Sequence, residues 1–171
     1  MLNIFDILRK EHQEVNALIN ELISLENKDS YRVNLIEQIE KELNAHRKAE
    51  ELTFYNTIKL LDADRDLVSH GMKEHLDIDR ALETLIKKIS FENQWKNFAI
   101  ELKSVVQHHV EEEENELFTE AVTILTPDEC VTLADVFVKM KARVLQGYRI
   151  HSDLVLDLMP QRVVERYNMT H

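Results

Sequence analysis

The stretch QHHVEEEENELF at residues 107–118 sets two adjacent histidines beside a run of four glutamates. Imidazole and carboxylate are the donors that transition metals accept, and a His and a Glu four residues apart share one face of a helix. Which His, with which Glu, points inward is settled by a repeat. Lys10-Glu11-His12 recurs as Lys73-Glu74-His75, a shift of 63 residues, and Val15, Ile19 and Leu22 then fall on Ile78, Leu82 and Leu85. The same shift carries His46, Glu50, Glu51, Phe54 and Tyr55 onto His109, Glu113, Glu114, Leu117 and Phe118. His109 thus has a histidine counterpart, whereas His108 corresponds to Ala45. The inward stripe Leu102, Val106, Leu117 also passes through His109 and Glu113. The candidate donors are His12, His46, Glu50, His75, His109 and Glu113.

Long helices must position them. Only two Gly and two Pro occur, so β punctuation is nearly absent. Polar breaks at Asn27-Lys28-Asp29-Ser30, Asp62-Ala63-Asp64, Ser90-Phe91-Glu92-Asn93 and Thr126-Pro127 divide the chain, the last with Thr as cap and Pro at the first helical position. Five helices follow, near residues 4–26, 30–61, 65–90, 94–125 and 127–146. Short links make neighbours antiparallel, so the fold class is all-α: an antiparallel up-down four-helix bundle with an additional C-terminal helix. Residues 1–125 form the bundle as two hairpins, 1–62 and 64–125. Residues 126–171 form a C-terminal helix and tail that pack on the bundle or on a partner, with Gly147 as a stop signal and the remainder unassigned.

Depth in the bundle is a separate check. His12 and His46 lie 17 residues on either side of residue 29, and His75 and His109 lie 17 on either side of residue 92. At about 1.5 Å rise per residue all four reach one level, roughly 25 Å from those turns. Burying so many polar groups without a partner costs on the order of 1–3 kcal/mol each, and a bound cation removes the penalty. Four imidazoles with two carboxylates are too nitrogen-rich for Ca²⁺ or Mg²⁺ and exceed the donor number of one tetrahedral Zn²⁺. The pseudo-twofold layout suggests two metals, iron first, with manganese or a mixed iron and manganese pair next.

Composition bounds the setting. The chain of 171 residues, 44% apolar, can bury one ordinary core. A single cysteine, Cys130, excludes an internal disulfide. The opening MLNIFDILRK lacks the pattern of a signal peptide, and no apolar run is long enough to span a bilayer, so a cytoplasmic protein is expected. The net charge of -11 repels nucleic acid and anionic membrane surfaces, which are not expected partners.

At the six donors the sequence resembles the hemerythrin family, specifically the bacterial hemerythrin-like HHE cation-binding domain. The resemblance covers residues 1 to about 125 and rests on His12, His46 with Glu50, Glu74-His75, and His109 with Glu113. It implies a four-helix bundle around two Fe ions joined by an oxide or hydroxide bridge, with those six residues as ligands and O₂ or a related small oxidant as partner. One departure matters. Oxygen-carrying hemerythrins have a fifth histidine, and here Gly71 and Asp79 stand four residues before and after His75. The six residues then supply about eight of roughly twelve positions on two octahedral ions, which favours reactivity or sensing over transport. Asp79 or His70 is a candidate to complete the coordination; His70 and His108 otherwise read as surface residues. Glu111, Glu112, Glu114 and Glu116 read as a solvated face, Cys130 as packing, and Tyr55 as core within electron-transfer reach. Leu133, Val136, Phe137, Met140 and Val144 form a stripe that covers the bundle or makes a homodimer contact. Three functions stay open: binding or sensing O₂, peroxide or nitric oxide; an enzyme turning over peroxide or repairing iron centres; and a metal-storage or helical interaction module.

Overall fold

The computed structural model describes residues 2–26, 30–61, 63–89, 94–148, 150 and 152–170. Helix α1, Ile4–Ser24, starts at a capping box in which Asn3 and Asp6 satisfy each other's backbone N–H groups. Helix α2 runs Tyr31–Glu50, widens into a π-helical turn at Glu51–Tyr55 and finishes as Asn56–Leu60. Helix α3, Arg65–Lys88, is capped by the Asp64 side chain. Helix α4 repeats the form of α2: Trp95–Glu112, a π-helical turn at Glu113–Leu117, then Phe118–Ile124. Helix α5, Pro127–Leu145, has the expected Thr126 cap, Pro at the start and Glu129 closing a capping box. The breaks at Asn27-Lys28-Asp29, Asp62 and Ser90-Phe91-Glu92-Asn93 lie outside the described residues.

Contacts run α1 to α2, α2 to α3, α3 to α4 and α4 back to α1, closing a four-helix ring, and among the described residues there is no strand. Helix α5 lies along α1 and α2 and buries Leu133, Val136, Phe137 and Met140 against them. It ends where Gly147 takes a φ of 75°, with Tyr148 N–H donating to the Arg143 carbonyl and Gly147 N–H to that of Val144. That αL residue is the one place where the chain needs a glycine for its backbone. The tail, unassigned from sequence, forms α6, Ser152–Leu156, and α7, Gln161–Thr170. Val155, Met159 and Val163 fold it back onto the end of the bundle, and Arg162 pins it through Glu129 and the Ile124 carbonyl. No helix among the described residues is long and apolar enough to cross a membrane.

The π-helical turns are the departure from the expected regular helices. His46, Glu50, Phe54 and Ile58 are all buried, as are His109, Glu113, Leu117, Ala121 and Leu125, at uniform steps of four. In a straight α-helix three such steps would carry the stripe about 120° around the axis, out of the core. One extra residue in a turn absorbs about 100° of that drift. The bundle interior is consequently layered. One apolar cluster, including Val15, Ile39, Leu82 and Trp95, fills the end toward the first and third turns. Another, including Phe5, Phe54, Phe118 and Phe137, fills the opposite end. The histidines and glutamates sit between them.

Candidate metal centre

All six donors predicted from sequence are buried, Glu50 completely. Ring centroids of His12 and His46 are 5.2 Å apart, and those of His75 and His109 are 4.6 Å apart, so four helices deliver one imidazole each to a single level. One donor atom from each of His12, His46 and Glu50 falls within 4.8 Å of the others, and the same holds for Glu50, His75 and His109. Two three-donor groups therefore share one carboxylate. Glu113 faces the first from α4, its Oε2 being 3.2 Å from His12 Nε2.

A ring of outer carboxylates orients the imidazoles. His12 Nδ1 meets Glu114 Oε1 at 2.8 Å, His75 Nδ1 meets Glu51 Oε1 at 2.9 Å, and His109 Nδ1 meets Glu74 Oε2 at 3.1 Å. His46 Nδ1 lies 3.8 Å from Glu11 Oε2. Three of the four helices thus hold the histidine of the next through a hydrogen bond, α2 that of α3, α3 that of α4 and α4 that of α1, whereas Glu11 of α1 faces His46 of α2 without bonding its Nδ1. A carboxylate at Nδ1 keeps the N–H there and turns the Nε2 lone pair inward. The four Nε2 atoms and the four carboxylate oxygens of Glu50 and Glu113 have no hydrogen-bond partner among the described residues. Lone pair then faces lone pair, as between His75 Nε2 and Glu50 Oε2 at 3.2 Å. Only a positive charge between them relieves the repulsion. Protons can serve in part: burial opposes charge on His12, yet the adjacent carboxylates of Glu113 and Glu114 outweigh that and raise its pKa to about 10. Burial likewise opposes protonation of His75, and Glu50 and Glu51 raise its pKa to about 9. Burial alone would raise the Glu113 pKa, but the surrounding imidazoles hold it well below the ordinary carboxylate range. Eight orphaned donor atoms of this type fit bound metal better than they fit protons.

The structure moves one predicted surface residue to the site and leaves others outside. Glu114, expected on a solvated face, is only 27% exposed in its side chain and orients His12. Glu11, Glu51 and Glu74 take comparable places, which spacing within one helix does not reveal, although the repeat pairs Glu11 with Glu74 and Glu51 with Glu114. Asp79 turns away to Arg47, 3.3 Å from its guanidinium, and His70 turns to Glu112 at 2.7 Å. Neither belongs to the two core donor groups, although Asp79 lines the cavity beside the histidines.

Tyr55 stands where a side chain on residue 71 would project. A Cβ built on Gly71 would lie 2.6 Å from the Tyr55 hydroxyl, so the glycine makes room for the phenol. The phenol ring stacks on His75 at 5.3 Å, and its hydroxyl has no hydrogen-bond partner among the described residues. Burial first, then the charges of Glu113 and Glu50, push its pKa well above the usual phenol value. Beyond the histidines lies a cavity of about 20 Å³, enough for a water-sized molecule. Val15, Leu43, Ile78 and Val106, each one turn from a histidine, give it apolar walls.

This donor geometry on a four-helix ring agrees with the sequence comparison: residues 3–121 match the Hemerythrin HHE cation binding domain, and the chain belongs to that family of metal-binding helical domains. The crystal structure of an HHE cation-binding domain-containing protein, the Rv2633c homolog from Mycobacterium kansasii, is similar in fold. It superposes with a TM-score of 0.77 at 20% identity, over 86% of this chain and 90% of that one. A protein named DNA nickase from Nostoc sp. (strain PCC 7120 / SAG 25.82 / UTEX 2576) is 30% identical over 147 residues, which is 85% of this chain and 41% of the relative. The chain thus spans about two fifths of that relative's length.

Proposed function

We propose that this chain is a non-haem di-iron protein that binds or senses O₂, peroxide or nitric oxide. The observation that carries the reading is the set of eight partnerless inward donor atoms, together with the two donor groups that share Glu50. His12, His46 and Glu50 would hold one ion, and Glu50, His75 and His109 the other, with Glu113 contributing from α4. Iron suits this mixed imidazole and carboxylate set, and when bound it supplies electrons by cycling between the ferrous and ferric states.

The chain's own residues shape what such a centre meets. Val15, Leu43, Ile78 and Val106, with Glu11, Arg47 and Asp79, line a cavity whose volume suits only a small molecule. Tyr55 keeps its proton at neutral pH, so its hydroxyl is a neutral donor held beside Glu50 and Glu113. That proton favours, as a second reading, an enzyme that turns over peroxide, which steady-state turnover would distinguish from binding. A DNA substrate does not suit either reading, because the net charge of -11 repels a phosphate backbone and the donors are buried.

Metal analysis of protein from its native host, with absorption spectra of the reduced form before and after admitting air, tests the proposal. Two irons per chain and near-ultraviolet bands of a diferric pair are expected. Colourless, iron-free protein that ignores air would overturn it.

A further inference from the structure

A second group of donors lies outside the core, where α3 and α4 run side by side. His70 and Glu74 are one turn apart on α3, and His108 and Glu112 are one turn apart on α4, so each helix carries another His-x-x-x-Glu step. His70 Nε2 lies 2.7 Å from Glu112 Oε2 and 3.8 Å from Glu74 Oε1. His108 Nε2 lies 3.3 Å from Glu112 Oε1 and 3.7 Å from Glu74 Oε1. One donor atom from each of His70, Glu74 and Glu112 falls within 4.8 Å of the others.

Exposed His–Glu pairs one turn apart are ordinary and contribute little to stability. Glu74 makes this group different. Its side chain is only 9% exposed, and its two oxygens are divided: Oε2 accepts from His109, while Oε1 faces the two outer imidazoles with no hydrogen-bond partner among the described residues. A buried carboxylate oxygen left unpaired is costly, and nothing in the core relieves it. His70 and His108, at 49% and 63% side-chain exposure, are open to an ion arriving from solvent.

We propose that His70, Glu74, His108 and Glu112 form an outer site for one divalent first-row transition cation, separate from the core. Two imidazoles and two carboxylates suit Zn²⁺, Fe²⁺, Mn²⁺ or Co²⁺, whereas Ca²⁺ and Mg²⁺ take oxygen donors. The exposed Glu116, one turn beyond Glu112 on the same helix, raises the local concentration of cations. Because Glu74 touches both groups, a cation on Oε1 draws charge from the oxygen that orients His109. Occupancy outside therefore weakens the grip of the α4 imidazole within, and by linkage the effect is reciprocal.

Titration with Co²⁺, followed by its visible absorption and by equilibrium dialysis, separates the two sites. Wild-type protein takes up one Co²⁺ per chain beyond those of the core, and the double substitution His70→Gln/His108→Gln weakens that binding about tenfold or more. The core equivalents are unchanged in the double variant, and its circular dichroism and melting match the wild type. His46→Gln, which damages the core, retains the outer equivalent, so failure of the di-iron reading and failure of the outer site give different results. Equal number and affinity of Co²⁺ in wild type and double variant overturn the inference, as does absence of the additional equivalent.

Discussion

Glu114 shows how a surface charge becomes part of a buried site. It sits in a run of glutamates that reads as solvated, yet its Oε1 at 2.8 Å from His12 Nδ1 fixes which nitrogen of that ring faces inward. Outer carboxylates of this kind strengthen the donor they orient, and their loss lowers metal affinity about 10–100-fold. Glu114→Ala is accordingly expected to weaken metal binding by that range in competition with a chelator. Glu111→Ala, on the exposed side of the same helix, should leave it unchanged. Equal affinities in the two variants would show that the carboxylate ring has no part in holding metal.

At the scale of elements, α2 and α3 are fitted to each other through Tyr55 and Gly71. A glycine inside a helix costs roughly 1 kcal/mol relative to alanine, so Gly71→Ala on helix propensity alone should stabilise α3. Space decides the opposite. The new methyl carbon would stand 2.6 Å from the Tyr55 hydroxyl and 3.1 Å from its ring, and that buried ring is itself stacked on His75. Displacing it forces α2 and α3 apart or tilts the imidazole. A loss of about 1–3 kcal/mol in denaturant unfolding is expected for Gly71→Ala, with recovery in Gly71→Ala/Tyr55→Phe. Helix α5 acts on the site from the other side: Phe137 packs edge-on to His46 at 5.9 Å, and Lys141 pairs with Glu42 and with Glu11, which backs the same histidine. The additional helix thus covers the α1–α2 face of the centre. The large apolar residues it leaves exposed are Val138 and Leu145.

For the whole molecule, a polar layer between two apolar clusters ties stability to metal. A ligand present at about 1,000 times its dissociation constant adds about 4 kcal/mol to the folded state, which is about 10 °C of melting temperature at this chain length. Chelation should remove that increment. Its pH dependence has a definite sign. Without metal, His12 and His75 titrate near 10 and 9 in the folded state against 6.5 ordinarily. The stabilisation from their protonation is complete below about 6.5 and is lost as pH rises through those folded values. Metal needs the same imidazoles neutral, so its affinity grows over the same interval. Melting curves of metal-free and metal-loaded protein should diverge from pH 6.5 to 9. Curves that run parallel would show that protons and metal do not compete for these nitrogens.

Local order along the chain determined much of this. The 63-residue repeat and the His-x-x-x-Glu spacing single out six donors because residues one helical turn apart share a face wherever the helix is placed. The π-helical turns were also present in the pattern, as uniform steps of four that no straight helix can keep buried, although regular helices were the simpler reading. The tertiary structure alone decided which groups from other helices turn toward those donors. Glu114 is 102 residues from His12, Glu74 is 35 from His109, and Glu51 is 24 from His75. No periodicity links such pairs; they meet because four helices close into a ring, three of them orienting the imidazole of a neighbour through a hydrogen bond. Tyr55 is likewise placed by a gap on a different helix, which has meaning only once the two are packed.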